Sequence, residues 1–285
     1  MPELIDGKKI SGDIQSELKK DIEQLKQKGI IPGLAVVLVG ANPASKVYVS
    51  MKQKASNSLG IYSEEHKLEE NISQETLIKL IKKLNNDPKI NGILVQLPLP
   101  KQIDTNIVLE SIVPEKDVDG FHPYNVGKLV AGTPTFVACT PYGVIKLLEY
   151  SKVNMEGKEA VVIGRSNIVG KPVAMLLMQE NATVTICHSK TKDLPAVSRR
   201  ADILIAAIGK PKFVTKDFVK KGAVVIDVGV NRLPDGTLCG DVDFDNVKDL
   251  TSMITPVPGG VGPMTITMLM HNTVKSVKMA NGLIK

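Results

Sequence analysis

Val161-Val162-Ile163-Gly164-Arg165-Ser166-Asn167-Ile168-Val169-Gly170-Lys171-Pro172 carries the pattern on which the fold turns. Its apolar β-branched start reads as a buried strand, Gly164 opens a tight turn, and Gly170 begins a helical stretch reaching Glu180. A strand, a glycine-rich turn and a helix in that order aim main-chain N–H groups and the positive end of a helix at a pyrophosphate. The turn departs from the G-x-G-x-x-G fingerprint, because Arg165-Ser166 stands in place of the second glycine. Taken alone it also fits an α/β domain that binds no nucleotide. About twenty residues on, where an NAD site places an acidic residue for the ribose 2′-hydroxyl, the strand Thr183–Cys187 ends at His188-Ser189-Lys190. A hydroxyl and a cation there, with Arg165 nearby, suit a 2′-phosphate and favour NADP.

Working outward, strands are expected at Asp202–Ala206 and Ala223–Val228. A helix at Pro141–Ser151 precedes the glycine turn, and a last helix runs from Pro263 to about Ala280. The N-terminal half repeats the alternation. Ile10, Ile14, Leu18, Ile22 and Leu25 share one face of a helix over Gly7–Lys28, and Leu34–Val39 reads as a buried strand. A helix at about Ala44–Ser58, a strand at Ile61–Leu68, a helix from a Ser73 cap to Leu84 and a strand at Ile93–Val95 follow. β-α-β-α-β alternation predicts parallel sheets flanked by helices. The regular pattern weakens around Pro114–Gly132. The expected division is residues 1–120 as one α/β domain, completed by a helix over about 264–285, then a connection at 121–139 and a dinucleotide-binding domain at 140–262.

Bulk properties narrow the function classes. At 285 residues the chain is long enough for two domains of ~150 residues. The net charge of +6 comes from dispersed lysines, with no basic block interleaved with aromatics, which argues against a nucleic-acid partner. The three cysteines are far apart, with no C-x-x-C pair, so neither a disulfide framework nor a metal site is expected. Neither a signal-peptide core nor an apolar run long enough to span a bilayer is seen, so a soluble cytoplasmic protein is expected.

Several segments hold chemically capable residues. Tyr48 and Lys52 are four apart on a predicted helix and so share a face, as an active-site pair or as ordinary surface neighbours. Gln96 follows a buried strand at the sheet edge where α/β proteins hold ligands, and Pro98 and Pro100 stop the strand continuing. Asp117-Val118-Asp119-Gly120 opens the irregular connection. Its carboxylates could bind a metal, cap a turn or hold the amide and amine edge of a ligand, with a turn role favoured for Asp117. Pro258-Gly259-Gly260-Val261-Gly262-Pro263-Met264-Thr265 is either a tight turn or a backbone wrap around a flat or anionic ligand at a helix start.

The tract Tyr48–Lys52, the run Val95-Gln96-Leu97-Pro98-Leu99-Pro100, Asp117–Gly120, Cys139-Thr140-Pro141, Gly164–Pro172 and Pro258–Thr265 occur in order over nearly the full length. Together they resemble the bifunctional methylenetetrahydrofolate dehydrogenase/methenyltetrahydrofolate cyclohydrolase (FolD) family. The resemblance implies an N-terminal substrate domain and a Rossmann-like NADP-binding domain with the active-site cleft between them. It implies NADP-linked oxidation of 5,10-methylenetetrahydrofolate, hydrolysis of the product to 10-formyltetrahydrofolate, and a homodimer. Lys52 is implied as acid/base, Tyr48 as a stacking surface, Gln96 as a partner tuning the lysine, and Asp119 as a holder of the pterin, with Ser45 in support. Val95, Leu97 and the segment Pro258, Gly259, Gly260, Val261 and Gly262 are implied folate contacts. Gly164, Arg165, Ser166, Ser189 and Val230 are the implied NADP contacts. A lysine base is useful near neutrality only if its pKa is depressed, through burial and the positive charge of the intermediate. Short-chain dehydrogenases also use Tyr-x-x-x-Lys, but there the nucleotide turn precedes the pair, the reverse of the order here. A non-catalytic folate or nucleotide binder of the same fold is the other reading, and Lys52, Gln96 and Asp119 together speak against it.

Overall fold

A computed structural model describes residues 2–284. In chain order the elements are β1 (Glu3–Leu4), α1 (Gly7–Gln27), β2 (Gly33–Val39), α2 (Pro43–Leu59), β3 (Tyr62–Leu68), α3 (Gln74–Asn86), β4 (Gly92–Val95), α4 (Thr105–Glu110) and α5 (Pro123–Val130). There follow α6 (Cys139–Tyr150), β5 (Glu159–Ile163), α7 (Gly170–Gln179), β6 (Thr183–Cys187), α8 (Leu194–Ser198), β7 (Ile203–Ala206), β8 (Val224–Asp227), β9 (Asn231–Arg232), β10 (Leu238–Cys239), α9 (Phe244–Val247), β11 (Met253–Ile254) and α10 (Val261–Ala280). Two compact units result. One holds the residues up to Gly12 and Thr140–Thr265, the other Asp13–Cys139 and the residues from Ile266 onward.

The unit built on Asp13–Cys139 contains a parallel sheet in the order β3-β2-β4. Every residue of the central strand β2 is buried, which is why Leu34–Val39 reads as an unbroken apolar run rather than an alternating one. Leu77, Ile81 and Leu84 of α3 pack with Val37, Ile93 and Val95 in its core. The chain goes from β2 to β3 on one side and then crosses to β4 on the other, so the strand order reverses between β2 and β4. Ligands of open α/β sheets bind at the carboxyl ends of the strands flanking such a reversal.

The other unit repeats this arrangement on a larger scale, a sheet in the order β1-β11-β8-β7-β5-β6. All its pairings are parallel. Here the order reverses between β5 and β7, at the glycine turn after Ile163. Val161, Ile163, Leu204, Ala206 and Val225 form its core with Val242 and Ile254.

The short elements α4, α8, α9, β9, β10 and β11 were not expected from the sequence, and two further differences bear on the architecture. The first residues join the sheet of the second half: β1 adds to the edge of β11, with the Ile5 amide donating to Ile254 at 2.9 Å. Two residues show no periodicity, so this pairing left no trace in the pattern. The stretch after Pro114 holds the helix α5, begun by Pro123 and capped by the His122 ring, which accepts the Tyr124 amide. Its eight residues are too few to reveal a period. No helix among the described residues is long and apolar enough to cross a membrane.

Candidate active site

Helix α2 sets the first functional groups. Asn42 caps it by accepting the Ser45 amide at 3.1 Å, Pro43 occupies its first turn, and Gly60 ends it in the left-handed conformation. Its buried stripe is Ser45, Val49, Lys52, Ser56 and Leu59, so a lysine stands at a core position. Lys52 is 8% exposed, whereas Tyr48, one turn earlier, is 37% exposed. The Lys52 ammonium donates to Gln96 Oε1 at 2.9 Å, and Gln96 Nε2 donates to the Leu97 carbonyl at 2.8 Å. Gln96 can be there because its amide continues the ladder past β4, donating to Val37 at 2.8 Å. The Leu97–Pro98 bond is cis. Val95 is buried and Leu97 half-buried.

Asp119 reaches the same neighbourhood from the turn before α5. Asp117 is the structural member of the pair. It accepts the Phe121 and His122 amides at 3.2 and 2.8 Å and the Asn125 side chain at 2.8 Å. Gly120, at φ +74°, lets the turn lie on the backbone of Val137 and Ala138, which a Cβ would meet within 2.6 Å. That close approach sets Asp119 beside the buried Cys139. Burial depresses the Lys52 pKa, while Asp119 and Cys139 partly offset it. For Asp119 burial dominates in the opposite sense and lifts its pKa to about 6, with Lys52 pulling it down. Burial likewise pushes the Cys139 thiol up, which keeps it protonated and a poor nucleophile.

Two contributors were not legible beforehand. Cys139, within the Cys139-Thr140-Pro141 motif, stands in the electrostatic field of Lys52 and Asp119. Asn272 on α10 is buried and donates to the carbonyls of Val118 and Val137 at 2.8 and 3.0 Å, tying together the segments that carry Asp119 and Cys139. An asparagine among Met268, Leu269, Met270 and Val274 was the available signal.

The glycine turn Gly164–Gly170 lies in the other unit. Gly164 has φ +133°, and a Cβ there would strike the Ala207 carbonyl, just as one on Gly170 would strike that of Gly164. The cradle is therefore closed to any larger residue at both positions. Ser166 Oγ accepts the Val169 and Gly170 amides at 3.2 and 3.3 Å, holding the turn onto α7. Ile163 pairs with Cys187, so Arg165 and Ser189 each stand two residues beyond adjacent strand ends, both exposed. Val230 follows β8 and is 45% exposed. These groups fit a dinucleotide: the turn supplies a close backbone approach, and the two strand ends supply a cation and a hydroxyl.

Pro258–Gly262 belongs to this same unit. The Lys8 amide donates to Gly259 at 3.1 Å, and Gly7 and Gly260 each leave no room for a Cβ. The loop is shaped by backbone contact with the start of α1.

Two family models cover the chain. The tetrahydrofolate dehydrogenase/cyclohydrolase catalytic domain matches residues 5–119 and the NAD(P)-binding domain of that family matches residues 138–281. The chain belongs to the tetrahydrofolate dehydrogenase/cyclohydrolase family. It is 60% identical over 278 residues to the bifunctional protein FolD of Pelobacter propionicus, covering 98% of each chain. The crystal structure of the bifunctional FolD of Campylobacter jejuni is 53% identical, with a TM-score of 0.96 over 98% of this chain and 100% of that one. The Trypanosoma brucei FolD, complexed with NADP cofactor and an inhibitor, is 41% identical, with a TM-score of 0.94 over 99% of both chains. Family membership thus extends over both units.

Proposed function

We propose that this chain oxidises 5,10-methylenetetrahydrofolate to the 5,10-methenyl cation with NADP and hydrolyses that cation to 10-formyltetrahydrofolate. The observation that carries the proposal is the buried Lys52 ammonium on Gln96, in the field of Asp119, within a chain of this family. NADP, when bound, supplies the hydride acceptor. Gly164 and Ser166 would hold its pyrophosphate, Arg165 and Ser189 its 2′-phosphate, and Val230 its apolar face. Tyr48 offers the folate an exposed ring, Asp119 accepts from the N–H edge of the pterin, and Val95, Leu97 and the Pro258–Gly262 segment are assigned to folate as backbone and apolar contacts. The family resemblance also supports a cytoplasmic homodimer.

Oxidation needs position more than a strong acid, because the developing cation is delocalised over N5, carbon and N10 of the substrate. Hydrolysis needs a base. Neutral Lys52 takes a proton from the water that adds to the methenyl carbon, then returns it to N5 as the carbon–N5 bond breaks. The hydroxyl proton of the adduct leaves to solvent, and Lys52 ends neutral. In its unprotonated form the lysine also does not repel the cation that the water attacks. Gln96 accepts from the ammonium and fixes its direction.

Purified protein given methylenetetrahydrofolate with NADP is expected to form reduced nicotinamide, followed by loss of methenyl absorbance. NAD should support the reaction less well. No nucleotide reduction with either cofactor would overturn the proposal in favour of a binding protein.

Asp119 adds a pH signature. Its pKa of about 6 means that it accepts from the pterin only above that value. The folate KM should therefore rise as pH falls through about 6. In Asp119→Asn the KM should be high and flat, as steady-state kinetics between about pH 5 and about pH 8 would show.

A further inference from the structure

Two carboxylates outside the Lys52 site and the glycine turn lie under the carboxyl ends of β7 and β8, Asp227 at 3% and Asp241 at 0% exposure. Burying a carboxylate is costly unless donors surround it; each has donors around it, though for Asp227 burial outweighs them and lifts its pKa to about 7. Asp241 Oδ2 accepts the Ile208 and Gly209 amides at 2.6 and 2.9 Å, while Oδ1 accepts the Lys210 amide and the Asn231 side chain, both at 2.9 Å. Asp227 Oδ1 accepts the amides of Gly229 and Asp241 at 3.0 and 2.9 Å, and its Oδ2 accepts that of Val242 at 2.9 Å. Three successive amides turned onto one carboxylate form an anion nest, and here the protein fills the nest itself.

What this pair holds is informative. The 208–210 turn follows β7 and Ala207, whose carbonyl faces Gly164 across the strand reversal. It is the wall opposite the glycine turn. Val230 lies between Gly229, bonded to Asp227, and Asn231, bonded to Asp241, so an exposed apolar residue is clamped on both sides. The packing tolerates no slack: a Cβ on Gly229 would enter the Asp241 carboxylate, and one on Gly240 would enter that of Asp227. Because the amides of 208–210 are engaged inward, they are unavailable to a phosphate, and this wall acts by shape.

We propose that Asp241, seated on Asp227, is a positioning residue for the nicotinamide cofactor, holding the 208–210 turn and Val230 as the rigid wall against which the dinucleotide rests. This rests on the reading of the β5–β7 reversal as the NADP site. Asp241→Asn keeps the size but turns an N–H₂ group against amide donors, so the wall must shift.

The test is steady-state kinetics together with calorimetric titration of NADP. For Asp241→Asn the KM and Kd for NADP should rise about tenfold, equivalent to ~1.4 kcal/mol, with kcat at saturating NADP changed by less than about twofold. Cyclohydrolase turnover, which uses no nucleotide, counts the folded sites in the same sample. A merely structural loss would lower both turnover numbers together and leave the NADP KM where it was. Should Asp241→Asn fail to fold, Asn231→Ala removes a single side-chain bond and should move the NADP KM in the same direction by about threefold, the scale of one ordinary hydrogen bond. Wild-type affinity for NADP in either foldable variant would overturn the positioning role alone. A wild-type chain that binds no dinucleotide would overturn the reading of the crevice as well.

Discussion

Lys52→Met should abolish the hydrolytic half-reaction while enhancing the stability of the fold. A positioned acid/base contributes roughly 10²–10⁴-fold, and the cyclohydrolase rate should fall by that factor. Dehydrogenation, which leaves a delocalised cation without needing this base, should fall much less. The stability gain follows from the direction of the Lys52 shift. Its pKa is lowered from 10.5 by burial, so the folded state carries a cost while the ammonium is charged. That cost is fully present below the folded pKa, fades as pH rises above it, and is gone above the unfolded value. At neutral pH the wild type bears it and methionine does not. The measurements are decay of methenyl absorbance and thermal unfolding near pH 7. Wild-type hydrolysis by the methionine variant would remove Lys52 from the proton transfer. In the wild type the hydrolytic rate should also rise with pH to a plateau set by a kinetic pKa below that of a free lysine.

The second large effect concerns cofactor choice. Replacing Arg165 by leucine and Ser189 by alanine together should raise the Kd for NADP by about 100-fold, at ~1.4 kcal/mol per tenfold. Hydrogen bonds to charged groups contribute about 1.5–3 kcal/mol each, and both side chains are solvent-exposed, which argues for the lower part of the combined range. NAD lacks the 2′-phosphate and should lose only a few-fold. The geometry behind this is local. β5 and β6 are neighbours in register, adjacent strands lie ≈ 4.8 Å apart, and the two residues occupy equivalent places beyond their ends. Fluorescence titration with the reduced cofactors would read both affinities. Equal losses for NADP and NAD would show that the pair serves the shared part of the dinucleotide instead.

Much of the architecture was legible because it rests on short-range pattern. The apolar run Leu34–Val39, the stripe on α1 and the Ile163–Gly164 strand end each show themselves within one element. What was not legible was non-local or too short. The β1 strand is two residues long and pairs with a partner some 250 positions away. α5 lies within a segment punctuated by glycine and proline. Asp241 looks like any loop aspartate until the turns after β7 and β8 are folded onto it.

By itself the sequence determined the alternation of strands and helices, the glycine turn with Arg165 beyond it, and the placing of Tyr48 and Lys52 one helical turn apart. These depend on periodicity and on the backbone freedom of individual residues, which neighbours in the chain suffice to set. Only the tertiary structure decided that Lys52 would be buried against Gln96, that Asp119 would share its field, and that Cys139 and Asn272 would complete the surroundings. A pKa measures the loss of water and the gain of charges from every segment that closes around a group. The groups gathered around Lys52 and Asp119 come from five separate stretches of chain, at residues 52, 96, 117–119, 139 and 272, and folding alone brings them together.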